Sequence, residues 1–404
     1  MKLQLDPTKE YALALEGGGA RGAYQIGVWK ALREAGIKIG AVSGTSVGAL
    51  NGALIAMGDY DAAERIWSEI RYSQVMDVDD DTMGKLISGK LRGLDLKAAV
   101  ETVKDVLDNR GLDVSPLYEW VKKVVDEDKV RTSDVELFIV TYSLSDRREL
   151  ELRADELERG EIHDMLLASA YMPVFKNEPL GGKRYTDGGV ADVLPLHALT
   201  SNGYKDIIAV RLYGFGVERR VRIPKDTSVY TVRPDGELGN MLEFDAERSR
   251  ANLRAGYFDA QRMLYGLSGR EWFIDNDWPE ERAYEHLARV VRRYLASEGK
   301  EVTLRTLHEK TLPQLSKRLS AGKGDYSALL IAAMEAAASE AGFDKWRIYT
   351  MDEMADMLQD YYGETNLCKT VAEAISPRRL LDIENLPLEL PLDLGRDRKN
   401  DDKK

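Results

Sequence analysis

The spacing of apolar residues changes repeatedly over the first two-thirds of the chain. Apolar runs of strand length alternate with stretches whose apolar residues recur every three or four positions. That alternation predicts an α/β fold with a largely parallel central sheet. "YALALEG" (11–17) predicts a buried strand. "GAYQIGVWKALREAG" (22–36) predicts a helix with Tyr24, Val28, Ala31, Leu32 and Ala35 on one face and Gly36 as its stop. "IKIGAVSG" (37–44) reads as a second strand. "VGALNGALIAMG" (47–58), apolar or small nearly all round, reads as a helix buried against the sheet. Residues 61 to about 128 read as helical, with acidic loops such as "DVDDD" between the pieces. Strands are expected again at "VELFIVTYSL" (135–144), "YKDIIAVRLYG" (204–214) and "SVYTVRP" (228–234), with "RRVRIPK" (219–225) as a solvated surface strand. "NMLEFDAERSRANLRAGYFDAQRML" (240–264) predicts the long helix that closes the first domain.

From about residue 270 the strand signals stop. "PEERAYEHLARVVRRYLAS" (279–297) sets Tyr284, Leu287, Val291 and Leu295 on one helical stripe. "SALLIAAMEAAASEAG" (327–342) and "MDEMADMLQDYYG" (351–363) continue the theme. The expected organisation is an α/β domain over 8–266 and a helical C-terminal domain or extension over 270–364. An irregular, partly disordered tail over 365–404 completes it, rich in proline and charge.

Charge narrows the function classes. Aspartate and glutamate number 69 against 57 lysine and arginine, a net charge of −12. No basic footprint of the kind that displaces counterions from a nucleic acid is expected, nor a strong overall pull toward anionic membranes. A single cysteine, Cys368, excludes an intrachain disulfide and fits a reducing, cytoplasmic setting. The N-terminus lacks the apolar stretch of a signal peptide. No segment reaches the roughly 18–20 uninterrupted apolar residues of a membrane span. Any membrane contact is expected to be transient and peripheral.

Two glycine-rich stretches carry the candidate chemistry. "GGGARG" (17–22) has the G-x-G-x-x-G spacing of a dinucleotide-binding turn, but the second strand ends in "SGTSVG" without the acidic residue a ribose needs. A P-loop fails too, because Ala23 and Tyr24 stand where Lys and Ser or Thr should follow. "GTSVG" (44–48), between an apolar strand and a small-residue helix, fits a nucleophile elbow with Ser46 at its tip and Gly44 and Gly48 beside it. Such a serine needs a base. None of His163, His197, His286 or His308 has an obvious catalytic setting in the sequence. Asp187, in "GGKRYTDGGVADVLP" (181–195), precedes two glycines in a turn and is the candidate instead. An aspartate at that position is most often a turn former.

"LEGGGARGAYQIGVWKAL", "GTSVGALNGAL" and "ASAYMPVFKNEPLGGKRYTDGGVADVLP", in that order, resemble the patatin-like phospholipases. The resemblance implies a patatin-like three-layer fold and a Ser–Asp dyad, with Ser46 as nucleophile and Asp187 as base. It further implies an oxyanion hole from the backbone N–H groups of Gly17, Gly18 and Gly19, and an Arg21 that fixes the shape of this loop. It implies lipid acyl esters, phospholipid or lysophospholipid, as substrates, and no metal or other cofactor. A small-ester carboxylesterase or protein deacylase, or a non-catalytic regulatory protein on the same scaffold, are the other readings. Two positions depart from the family pattern. Glu16 replaces a frequent aspartate, which should leave the backbone donors intact. Val193 replaces a frequent asparagine, which removes a side-chain hydrogen bond.

Overall fold

The computed structural model describes residues 1–87, 111–173, 175–297, 299, 303–322 and 324–374, excepting the side chains of 86–87, 297 and 364–374. Much of the stretch expected as helical before residue 128, and the tail beyond 374, therefore lie outside the described residues. Cys368 falls among the undescribed side chains.

Seven strands form one mixed, mostly parallel sheet. They are β1 (Glu10–Leu15), β2 (Lys38–Thr45), β3 (Glu136–Ser143), β4 (Arg148–Arg153), β5 (Tyr185–Asp187), β6 (Asp206–Val210) and β7 (Ser228–Val232). The order is β4-β3-β2-β1-β6-β7, with β5 paired to β3. Neighbours from β3 through to β7 run parallel, while β4 and β5 lie antiparallel to β3.

The strand alternation divides two cores. Leu13, Leu15, Val42, Ile139, Ile208 and Val210 face the larger one. Ala12, Ala14, Phe138, Val140, Ile207 and Ala209 face the smaller, which Ala198 and Leu199 of a short helix, Leu196–Ser201, help to close. Both faces of the parallel strands are covered, so their apolar runs are continuous rather than alternating with polar residues. The result is an α/β sandwich of three layers.

On the larger face lie α1 (Ala23–Glu34) and α2 (Val47–Met57), together with the long helix Ala246–Tyr265. The face expected for α1 is buried apart from Ala35, which is only partly so, but Ile26, Gly27 and Trp29 are buried as well. The cause is a close crossing with the long helix. A Cβ on Gly27 would stand 1.9 Å from the Leu253 carbonyl oxygen, and one on Gly256 would stand 1.9 Å from that of Tyr24. The long helix starts later than its periodicity suggested, because Asp245 caps it by accepting from the Arg248 N–H at 2.8 Å.

Residues 219–225 are a correction: they form no strand. They belong to an irregular exposed loop between β6 and β7.

The chain divides into two compact units. One comprises Met1–Asp275 with Lys345–Ile348, and the other Asn276–Asp344 with the chain from Tyr349 onward. The second is helical over Glu280–Ser297, Leu312–Arg318, Tyr326–Ala341 and Met351–Ala374. Leu287, Val291 and Leu295 of the expected stripe are buried, whereas Tyr284 is only half so and stacks on His308. The helix from Met351 continues past the expected end at Gly363, which has non-helical angles and kinks it.

Candidate active site

The sheet itself brings Ser46 and Asp187 together. β2 pairs with β3 up to Thr45 opposite Val140, and then leaves the ladder. β5 takes up the same edge of β3 at the next residue, with Asp187 opposite Thr141 and Tyr185 opposite Ser143. Two strands of opposite direction thus share one slot and meet end to end. Ser46 follows the last residue of one, and Asp187 is the last residue of the other. The Ser46 hydroxyl lies close enough to the Asp187 carboxyl to favour its charged form.

Close packing sets the shape of the elbow. Ser46 holds φ 56° and ψ −125°, a conformation that a non-glycine residue keeps only under constraint. A Cβ on Gly44 would come within 2.2 Å of the Gly48 carbonyl, and one on Gly48 within 2.3 Å of the Leu15 carbonyl oxygen. The strained backbone is pinned by Ser169, whose hydroxyl accepts from the Ser46 N–H at 2.8 Å and donates to the Val140 carbonyl at 2.5 Å. Ser169 ends the helix Glu161–Ser169, and no spacing rule in the sequence marked it.

The glycine loop lies beside this turn, but its three amides are not equivalent. The Gly17 N–H donates to the Val193 carbonyl at 2.9 Å. That amide is engaged within the protein. Among the described residues the N–H groups of Gly18 and Gly19 meet no protein acceptor. Gly19 has φ +56°, and a Cβ there would strike the Met241 carbonyl oxygen at 2.2 Å.

Both neighbouring loops brace this backbone. Arg21 donates to the carbonyls of Gly239 (2.9 Å), Leu212 (3.2 Å) and Tyr213 (2.7 Å). Glu16 is buried and accepts from the Arg211 guanidinium (2.9 Å) and from the N–H groups of Leu212 (2.6 Å), Tyr213 (3.2 Å) and Gly214 (3.3 Å). A buried polar chain, unforeseen in the sequence, continues inward. Gln25 donates to the Glu16 carbonyl, Asn51 donates to Gln25 and to the Gly22 carbonyl, and Trp67 donates to Asn51. Val193, where a side-chain hydrogen bond is absent, contributes its backbone instead: its carbonyl holds Gly17 and its N–H donates to Val217 at 2.8 Å.

Burial pushes the Asp187 carboxyl up to about 6, while the Ser46 hydroxyl and the Gly189 N–H, at 2.8 Å, pull it down. The histidines are engaged elsewhere. His163 bonds the Val125 carbonyl, His197 pairs with Glu151, His286 packs on Trp278 and His308 contacts Tyr284.

From Ser46 and Gly19 an apolar cavity of about 600 Å³, counting its open mouth, runs between Leu50, Leu54, Trp67, Leu117 and Phe175. Among the described residues no cluster of His, Cys, Asp and Glu could hold a metal, and no helix is long and apolar enough to cross a membrane.

A family model described as patatin-like phospholipase matches residues 13–200. Over this stretch, a little under half of its length, the chain matches the patatin-like phospholipase family. Its patatin region contains the elbow, the glycine loop and Asp187. Patatin-like phospholipase domain-containing protein 7 of Rattus norvegicus is 30% identical over 202 residues, covering 49% of this chain and 13% of that protein. The lysophospholipase nte1 of Aspergillus terreus is 60% identical over 48 residues, 12% of this chain and 3% of that one. The chain thus spans a small fraction of these relatives' length. The crystal structure of VipD from Legionella pneumophila is similar at 14% identity over 91% of this chain and 87% of that one, with a TM-score of 0.38.

Proposed function

We propose that the protein is a serine acyl hydrolase that cleaves long-chain lipid esters, phospholipid or lysophospholipid, through an acyl-enzyme. The observation that carries this reading is the nearness of Asp187 to Ser46, a residue that lines a largely apolar cavity. As the Ser46 Oγ attacks the ester carbonyl, its proton passes to the Asp187 carboxylate. The carbonyl oxygen gains the negative charge and takes hydrogen bonds from the Gly18 and Gly19 N–H groups. One such donor is typically worth roughly 10²–10³ in rate. When the tetrahedral intermediate collapses, the ester C–O bond breaks and Asp187 returns the proton to the leaving alcohol. Water then attacks the acyl-serine and gives a proton to Asp187; the acyl C–Oγ bond breaks as Asp187 passes that proton to the Ser46 Oγ, and the fatty acid leaves.

A carboxylate is a weak base for an alcohol, and desolvation strengthens this one. The cavity lining offers an acyl chain dispersion contacts and no polar group to desolvate. That favours a long chain over the small-ester and deacylase readings.

Two measurements test the proposal. A fluorophosphonate probe should label Ser46, and labelling of a different serine would remove the assignment. Turnover of p-nitrophenyl esters should rise from acetyl toward long acyl chains. A preference for acetyl would return the protein to the small-ester class.

A further inference from the structure

The loop between β6 and β7 begins "LYGFGVERRVRIPK" (212–225) and has no regular secondary structure. Its first part alternates. Leu212 is buried, and then Tyr213, Phe215 and Val217 are 53%, 90% and 54% exposed, separated by Gly214 and Gly216. The glycines are required by what lies beneath. A Cβ on Gly214 would stand 1.9 Å from the Gly17 carbonyl oxygen, and one on Gly216 would stand 2.5 Å from that of Gly189. Tyr213 holds φ 49° and the chain bends at Phe215 and Gly216. With the two glycines seated on the active-site loops, Tyr213, Phe215 and Val217 are left facing outward. The Val217 N–H, donating to the Gly189 carbonyl at 2.8 Å, locks this register. Val190, in the Asp187 turn, adds a fourth exposed apolar side chain.

Single exposed apolar residues are ordinary, but four grouped on the loops that flank one site are not. The second part of the loop supplies charge. Arg219 is paired with Glu149 and Glu151, and Glu218 is neutralised by Arg211. Arg220, Arg222 and Lys225 are exposed and form no ion pair among the described residues. On a chain of net charge −12, three free cations beside an outward-facing aromatic are a local exception. Apolar side chains with adjacent cations match an anionic bilayer, whose acyl boundary accepts the former and whose headgroups attract the latter.

We propose that residues 213–225, with Val190, dock the protein on an anionic phospholipid bilayer and so present the Ser46–Asp187 site to lipid. The purpose of this docking rests on the hydrolase reading above, but the binding can be measured without it. The full chain would be sedimented with vesicles of equal parts phosphatidylserine and phosphatidylcholine, and with vesicles of phosphatidylcholine alone. Hydrolysis of a monomeric short-chain ester would be followed in parallel.

Wild type should bind the anionic vesicles more strongly. Arg220→Gln with Arg222→Gln should weaken that preference by about tenfold or more, at roughly fivefold per cation removed. Phe215→Ser should weaken binding to both vesicle types. All variants should hydrolyse the soluble ester as wild type does. Vesicle binding that is absent in wild type or unchanged in the variants would overturn the proposal. A dimer dissolved by Phe215→Ser would likewise overturn it and assign the patch to a second copy of the chain. Inert Ser46 with intact, loop-dependent vesicle binding would sink the hydrolase reading and leave the docking surface standing.

Discussion

Asp187 and Asp192 lie in the same turn, and burial raises the pKa of both, to about 6 and about 7. Their surroundings differ in what the raised carboxyl can reach. Asp187 ends β5 beside the Ser46 hydroxyl, with one oxygen tied to the Gly189 N–H. Asp192 is fully buried, accepts weakly from the N–H groups of Leu194 (3.2 Å) and Arg219 (3.4 Å), and among the described residues its second oxygen has no partner. A perturbed carboxyl is thus a sign of burial before it is a sign of catalysis. The neighbouring hydroxyl, placed by the sheet, distinguishes the two.

Substitution should separate them most sharply. Ser46→Ala and Asp187→Asn should each lower kcat/KM for a long-chain ester by at least about 10³-fold with the fold intact by circular dichroism. Asp192→Asn should stay within a few-fold of wild type. Equal losses at the two aspartates would erase the contrast.

A smaller effect is expected at Ser169, which acts on Ser46 only through its N–H. Ser169→Ala should cost about tenfold, mostly in kcat, because the elbow loses its anchor while the cavity stays unchanged. Ser169→Thr, keeping the hydroxyl, should recover part of the loss. If Ser169→Ala changes KM alone, the anchoring role fails.

Acid should act through Asp187. Its base form disappears below its raised pKa, so kcat/KM should fall about tenfold per pH unit below about 6 and level off above 7. The same limb should persist in Asp192→Asn. A midpoint that moves with that substitution would transfer the titration to the wrong carboxyl.

The smallest effect is on stability. Asp192 binds its proton more tightly folded than unfolded, where its pKa is about 3.9. Its ionisation therefore costs stability, and the cost grows as the pH rises through about 7. Asp192→Asn should raise Tm by a few degrees at pH 8 and have almost no effect at pH 4. A gain at pH 4 equal to that at pH 8 would contradict the assignment.

Ser46 was legible in the sequence because its constraint is local: the elbow's close approaches fall on Gly44 and Gly48, and those spacings are written in the chain. β1, β2, β3 and β6 were legible because burial on both faces makes continuous apolar runs. β4 was missed because "RELELR" sits half exposed with charges at alternate positions. β5 was missed because three residues carry no period. The use of the Gly17 amide by Val193, and the chain from Gln25 to Trp67, depend on partners distant in sequence, which no window contains. "RRVRIPK" misled because valine and isoleucine between cations imitate a surface strand, whereas β7, starting at Ser228, already holds the next place in the sheet beyond β6.

The shared slot on β3 also governs timing during synthesis. The nucleophile's half of the seam is made early, but its other half cannot be filled until the ribosome has delivered Tyr185–Asp187 and the intervening segment has folded around them. A nascent chain that carries the elbow without that last short strand would have a serine with no proton acceptor. On the proposed hydrolase reading, the protein would then stay inert until its own architecture was nearly complete.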